Sequence, residues 1–143
     1  MKISEILKSK GHGVATIDPE VSLGVAVKTM ATKSVGALVV SRDGRTIDGI
    51  LSERDVVRAI AEDRHATDQR VADAMSRDVV TARPDDTVTG AMAVMTRRRH
   101  RHLPVIKDGQ LDGIVSIGDL VKARLEELEL ESRVLRDVYL ASH

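Results

Sequence analysis

Gly49-Ile50-Leu51-Ser52-Glu53-Arg54-Asp55 and Gly113-Ile114-Val115-Ser116-Ile117-Gly118-Asp119 are one phrase written twice, 64 residues apart. In each, a glycine and two aliphatic residues run into Ser-x-x-Asp, the pattern of a short strand that ends where a helix begins. Further back, Asp43-Gly44 matches Asp108-Gly109 at a shift of 65, one residue having been dropped around Arg45 and Thr46. At that shift Leu38 falls on Leu103, Met30 on Met95, Ala26 on Ala91, Pro19 on Pro84 and Thr16 on Thr81. Two copies of one unit therefore account for nearly the whole chain.

Each copy reads as the same succession of elements. Thr16-Ile17 and Thr81-Ala82 are short extended entries, each followed by a proline whose fixed φ favours a turn. Helical spacing follows in Leu23, Ala26, Val27 and Met30, and again in Val88, Ala91, Met92 and Met95. Two β-rich runs then flank an Asp-Gly turn, residues 37–40 and 47–51 in the first copy and 103–106 and 111–115 in the second. A second helix starts at Ser52 or Ser116, with Val56, Val57 and Ile60, or Leu120, Val121 and Leu125, on its apolar side. Residues 1–10 predict a short helix leading into the first copy, mirrored by residues 71–75 before the second, and the polar stretch 62–70 predicts the linker.

One β-α-β-β-α copy is about 45 residues, close to the size below which a chain struggles to build a core. The two must pack together. The expected fold is α/β, with two tandem repeats in a pseudo-two-fold arrangement whose sheets face each other across two equivalent clefts. The division reads as residues 1–66, residues 67–125 and a C-terminal helical extension, residues 126–143.

Composition narrows the function. The 143 residues contain no Phe or Trp and one tyrosine, Tyr139, which argues against stacking platforms for single-stranded nucleic acid. Basic and acidic residues balance at 22 each, so no net field draws the chain to DNA or an anionic membrane. The absence of cysteine removes disulfides, thiolate metal sites and cysteine nucleophiles, and suits a reducing cytoplasm. No apolar run approaches the roughly 20 residues of a membrane helix, and residues 1–10 lack a signal-peptide apolar region, so a soluble, cytoplasmic protein is expected.

Ser-x-x-Asp at a helix start supports two chemistries. The carboxylate can accept both hydroxyls of a ribose, while the serine, beside free backbone N–H groups, suits phosphate or sugar oxygens. The same four residues also make a capping box, in which both side chains satisfy backbone donors and nothing is bound. The two roles can coexist. Duplication, with the same glycine and aliphatic lead-in each time, favours the binding role.

These residues resemble the cystathionine β-synthase domain, or CBS domain, a family that occurs as tandem pairs. The resemblance covers roughly residues 14–124 and rests on GILSERD, GIVSIGD and RHLPVIKDG, residues 101–109. It implies binding of AMP, ADP, ATP, NAD or a related adenosyl compound such as S-adenosylmethionine in the clefts between repeats, and dimerisation into a flat four-repeat disc. It further implies shared clefts. One would combine Thr16, Val35, Gly36 and Ala37 with Ile114, Ser116 and Asp119. The other would combine Thr81, His100, Arg101 and His102 with Ile50, Ser52 and Asp55. The first lining is small and apolar, whereas the second offers imidazoles and a guanidinium for phosphate, so the two should differ in affinity.

Residues 97–102, Arg-Arg-Arg-His-Arg-His, form the one strong charge cluster. Arg101, with Arg99 beside it, is the expected phosphate contact, while the remaining arginines read as a solvated helix end. Nucleic-acid binding through this cluster ranks below nucleotide binding, because neither net basic charge nor a recognition motif accompanies it. His100 and His102 alternate faces if extended and have no third ligand at metal spacing, so no metal site is expected.

Residues 121–140 run without Gly or Pro and predict one long helix, with Val121, Leu125, Leu128, Leu135 and Tyr139 spaced as a seam interrupted at Ser132. Either the chain's own first helix or a second copy would cover that seam. No nucleophile or acid-base set is left once the repeats are explained, and no catalytic domain remains. The expected function is a regulatory, energy-sensing type of module, a homodimer acting on a separate protein target. A purely structural dimerisation or interaction module is the alternative.

Overall fold

A computed structural model of the protein describes residues 1–142. Helix α1 (Ile3–Lys10) precedes the first repeat, which comprises β1 (Thr16–Ile17), α2 (Leu23–Lys33), β2 (Ala37–Val40), β3 (Gly49–Ser52) and α3 (Glu53–Glu62). A 3-10 turn, Ala66–Asp68, and helix α4 (Val71–Ala74) lead to α5 (Val88–Arg98), β4 (His102–Lys107), β5 (Gln110–Ser116) and α6 (Ile117–Ser142). The two-repeat α/β architecture and the C-terminal helix are those read from the sequence.

The repeats share their local devices. Ser22 caps α2 by accepting the Val25 N–H at 3.2 Å, and Thr87, at the same place in the second copy, caps α5 through the Gly90 N–H at 3.0 Å. Both helices end on a left-handed residue, Ser34 (φ 53°) and Arg99 (φ 56°), which turns the chain into the middle strand. In the first repeat β2 lies between parallel β1 and antiparallel β3. In the second, β4 and β5 pair antiparallel, and the entry strand shrinks to one residue, Ala82, bridging Val105.

The two Asp-Gly turns diverge. Asp108 (φ 52°) and Gly109 (φ 77°) form a tight two-residue hairpin closed by the Lys107–Gln110 pair, the geometry this dipeptide favours. In the first copy pairing stops at Val40–Gly49, and residues 41–48 form a loop, so the strand expected from residue 47 begins at Gly49. The cause is Asp43. Its carboxylate accepts the N–H groups of Arg45 and Thr46 and the Thr46 hydroxyl, all within 2.8 Å, giving the backbone an alternative to the ladder. Those bonds, led by the Thr46 N–H, hold the Asp43 carboxyl well below the usual carboxylate range.

Two hydrophobic clusters form the core, and each contains the helix that precedes the other repeat. Ile3, Ile6 and Leu7 of α1 pack with Val88, Met95, Leu103 and Leu120 of the second repeat. Val71 and the partly buried Ala74 and Met75 pack with Leu23, Leu38 and Leu51 of the first. The helix expected to lead into the first copy thus covers the second. Ala66, inside the stretch expected to be a polar linker, is fully buried in the first repeat's core, so that stretch is anchored and not free.

Glycine permits these crossings. A β-carbon on Gly113 would come within 2.7 Å of Leu7 Cδ2, and one on Gly49 within 2.6 Å of Met75 Sδ and 2.8 Å of the Ser76 carbonyl. The glycine that opens each repeated heptapeptide is there for close approach. Beyond Ala123, α6 leaves the body: Leu128, Leu135 and Tyr139 are exposed. The chain's own first helix meets only the start of α6, where Leu120 and Ala123 join its cluster and the Met1 amino group lies 3.4 Å from Glu127.

Candidate functional site

Strand β3 ends at Ser52, whose φ of −103° and ψ of 165° make it the N-cap of α3. Ser52 Oγ accepts the Asp55 N–H at 3.3 Å, and Asp55 Oδ2 in return accepts the Ser52 N–H at 2.8 Å and the Ser52 hydroxyl at 3.0 Å. The box recurs at Ser116, where the Asp119 N–H reaches Ser116 Oγ at 3.1 Å and Asp119 Oδ2 accepts the Ser116 N–H at 2.8 Å. Capping is therefore present at both positions. It uses one carboxylate oxygen of Asp55 and leaves Oδ1 with no hydrogen bond among the described residues.

A cavity of about 510 Å³ opens beside Asp55, within the range of small-molecule sites. It brings Ile50, Ser52 and Asp55 of the first repeat together with His100, Arg101 and His102 of the second. Arg54, Arg58, Arg98 and Arg99 add four guanidinium groups to its lining, against the carboxylates of Glu53 and Asp55. Arg98 also pairs with Asp78, 3.3 Å away and outside the lining. Thr81, grouped with this cleft from the sequence, is exposed and lies outside the lining, because only Ala82 joins the strand at that point. Arg54 and Arg58 were not singled out in the sequence. Their signal was available: they flank Asp55 four residues apart in the helix it begins, so both sit on the same face.

The other cleft is different. Lys10 Nζ stands 2.6 Å from Asp119 Oδ2 and 3.0 Å from the Ile114 carbonyl oxygen. Next to it, His12 Nδ1 lies 2.9 Å from the Asp112 carbonyl. Thr16 is taken up in the β1–β2 ladder opposite Val39, and Ala37 is buried in β2. Val35 lines a groove between α2 and α3 with Met30 and Val56, and Gly36 borders both that groove and the second-cleft cavity. Gly36, grouped with Asp119 from the sequence, is thus a neighbour of Glu53 and His102.

Electrostatics separates the clefts further. Burial pushes the His102 imidazole below its ordinary value; Lys10 and Arg101 add to this, and Glu53 and Asp119 oppose it. Burial alone would raise the Asp119 carboxyl, but the Lys10 hydrogen bond and the Ser116 N–H outweigh it and hold the group below the usual carboxylate range.

Comparison with known proteins places this geometry in context. The model of the CBS domain matches twice, over residues 3–62 and 71–126. A mitochondrial CBS domain-containing protein of Arabidopsis thaliana is 40% identical over 136 residues, 87% of this chain and 65% of that protein's length. The chain therefore spans just under two thirds of that relative. A CBS domain-containing protein of Bacillus subtilis is 32% identical across 75% of this chain and 76% of its own. Among solved structures, a CBS-domain protein from Agrobacterium tumefaciens superposes with a TM-score of 0.84 at 41% identity, covering 87% of this chain and 99% of that one. A CBS domain protein from Pyrobaculum aerophilum, solved in complex with AMP, gives 0.79 at 29% identity over 92% and 99% of the two chains. Among the described residues no helix is long and apolar enough to cross a membrane.

Proposed function

The chain belongs to the CBS-domain family, and from that premise we propose that it is a regulatory, non-catalytic module that binds an adenosine-containing nucleotide in the cleft between Asp55 and Arg101. The observation that carries this reading is the convergence, in one cavity, of a helix-start aspartate whose cap engages one carboxylate oxygen with guanidinium and imidazole groups from the opposite repeat. A ribose needs an acceptor for its two hydroxyls. Phosphates need cations and backbone N–H donors. Both requirements are met across a gap that belongs to neither repeat alone, so a ligand there gains contacts only when the repeats are held together, and can shift their balance. The AMP complex of the Pyrobaculum relative supports an adenine nucleotide as the ligand. AMP, ADP, ATP and NAD are the candidates.

The module pairs with a second copy through α3 and α6, where Val57 and Val121 are exposed apolar residues at matching places in the two repeats, with exposed Ile60 and Leu125 close by on their helices. It signals to a separate protein, in a cytoplasmic setting that its lack of cysteine suits. A thermal-shift series with AMP, ADP, ATP and NAD, and with guanosine and cytidine nucleotides as controls, tests the binding. A ligand at a hundredfold its dissociation constant adds about 2.7 kcal/mol of stability. Selective stabilisation by an adenine nucleotide that Asp55→Ala abolishes is the expected result. Stabilisation by none of them would favour the structural role that the capping boxes already serve.

A further inference from the structure

The duplicated Ser-x-x-Asp implies two equivalent ligands, but the carbonyl two residues before each serine is engaged differently in the two halves. Ile50 and Ile114 occupy the same place in the repeated heptapeptide. The Ile50 carbonyl accepts the backbone N–H of Ser76 at 2.9 Å, from the segment leaving α4. The Ile114 carbonyl accepts instead the ammonium of Lys10 at 3.0 Å. The difference follows from helix length: α4 ends at Ala74, whereas α1 continues beyond Leu7, the residue that packs on Gly113 as Met75 packs on Gly49, to Lys10. That extra turn carries a cation to the Asp119 carboxylate.

Several features distinguish this contact from an ordinary surface ion pair. The ammonium has two partners, both on the far repeat, at 2.6 and 3.0 Å. The Asp119 side chain is 26% exposed and the Lys10 side chain 36%, so the pair is partly shielded from the solvent screening that weakens surface pairs. Lys10 is the last residue of α1, where a basic side chain would ordinarily turn back to the helix's own free carbonyls. Here Gly11 satisfies the Leu7 carbonyl through its backbone N–H at 2.7 Å, and the lysine reaches across the cleft. A ribose diol entering this cleft would have to replace a charge-assisted hydrogen bond with neutral ones and leave the ammonium without its counter-ion.

We infer that Lys10 is a built-in occupant of the first cleft, taking the carboxylate a ribose would use, so that the chain binds one nucleotide and Lys10 sets that number. This rests on the reading of the repeat clefts as nucleotide sites. Lys10 acts as a specificity residue: it makes the duplicated site single without altering the Ser-x-x-Asp itself.

Titration calorimetry with ATP and with AMP on the full chain tests this. The unaltered protein is expected to take up one nucleotide per chain, lost in Asp55→Ala. Lys10→Met, which keeps the stem and removes the charge, should take up two, the second surviving in the Lys10→Met, Asp55→Ala double variant and lost when Asp119→Ala is added. Lys10→Arg should restore one. A stoichiometry of two in the unaltered protein, or of one in a Lys10→Met variant that unfolds at the normal temperature, overturns the inference. Binding by Lys10→Met alone, dependent on Asp119, would uphold the role of Lys10 and instead sink the assignment of the Asp55 cleft. No uptake by any variant would sink both.

Discussion

His102 stands opposite Ser116 in the β4–β5 ladder, so an imidazole in the lining of one cleft is directly paired with the helix cap of the other. The charged groups around it come from both sides, Lys10 and Asp119 from the first cleft and Glu53 and Arg101 from the second. His102 is therefore the group whose protonation should respond to what binds.

In the free protein burial, then Lys10 and Arg101, disfavour the protonated form of His102. The sign follows from its lowered value: the stability it contributes is full above the ordinary imidazole value of about 6.5 and is lost as pH falls through the lower folded-state value. A phosphate beside it reverses the balance. ATP binding should be accompanied by proton uptake, measured as a binding heat that changes with the ionisation enthalpy of the buffer between pH 6 and 7. A heat independent of buffer, or buffer dependence that persists in His102→Asn, would show that His102 is not the group that titrates.

The guanidinium groups of Arg54, Arg58, Arg98, Arg99 and Arg101 outnumber the two carboxylates in the cavity lining. More than one phosphate is needed to meet that charge. Affinity should rise from AMP to ADP to ATP, and the ATP constant should weaken more steeply than the AMP constant as salt is added. Arg101→Ala should remove most of the difference between ATP and AMP. Equal affinities in the parent protein would place the phosphates away from these side chains.

Gly113→Ala puts a carbon 2.7 Å from Leu7 Cδ2 and should destabilise the fold by about 1–3 kcal/mol, as overpacking in a core does. Leu7→Ala should partly compensate it in a double-mutant cycle followed by urea unfolding. Gly49→Ala meets the Ser76 carbonyl as well as Met75 Sδ, and backbone yields less readily than a side chain. Its cost should be the larger of the two.

Val121 is 40% exposed and Leu125 55% exposed on α6, and Val57 stands at the place of Val121 on α3 with Ile60 one turn on. Val121→Glu should convert a dimer to a monomer in sedimentation while leaving the isolated fold within about 0.5 kcal/mol of its parent, since surface changes rarely exceed that. A dimer unaffected by Val121→Glu but lost on substitution of Leu128 and Leu135 would move the contact to the projecting end of the helix.

Most of the fold was legible because duplication supplies its own control. A proline, a capping hydroxyl and an aliphatic face that recur at a shift of 65 leave little freedom in where elements begin. What the sequence concealed was which body each element serves. The apolar spacing of Ile3, Ile6 and Leu7 says that α1 needs a core, but not that the core is the other repeat's. Asp43-Gly44 and Asp108-Gly109 carry the same turn signal, and only the Ser41 and Thr46 side chains around Asp43 divert the first into a longer loop. The Asp55 cleft was legible as a pairing of Ser52 and Asp55 with residues 100–102. Its extra arginines lay outside the repeated motif, and Lys10, 109 residues from Asp119, had no sequence mark beyond ending a basic helix.

Whether an adenine nucleotide binds between Asp55 and Arg101 is decided by a crystal structure of the protein grown with ATP. The predicted result is one nucleotide per chain, its ribose hydroxyls on Asp55 and its phosphates toward Arg101, with Lys10 still on Asp119. A nucleotide seated against Asp119, or a cleft at Asp55 left empty at saturating ATP, would contradict it.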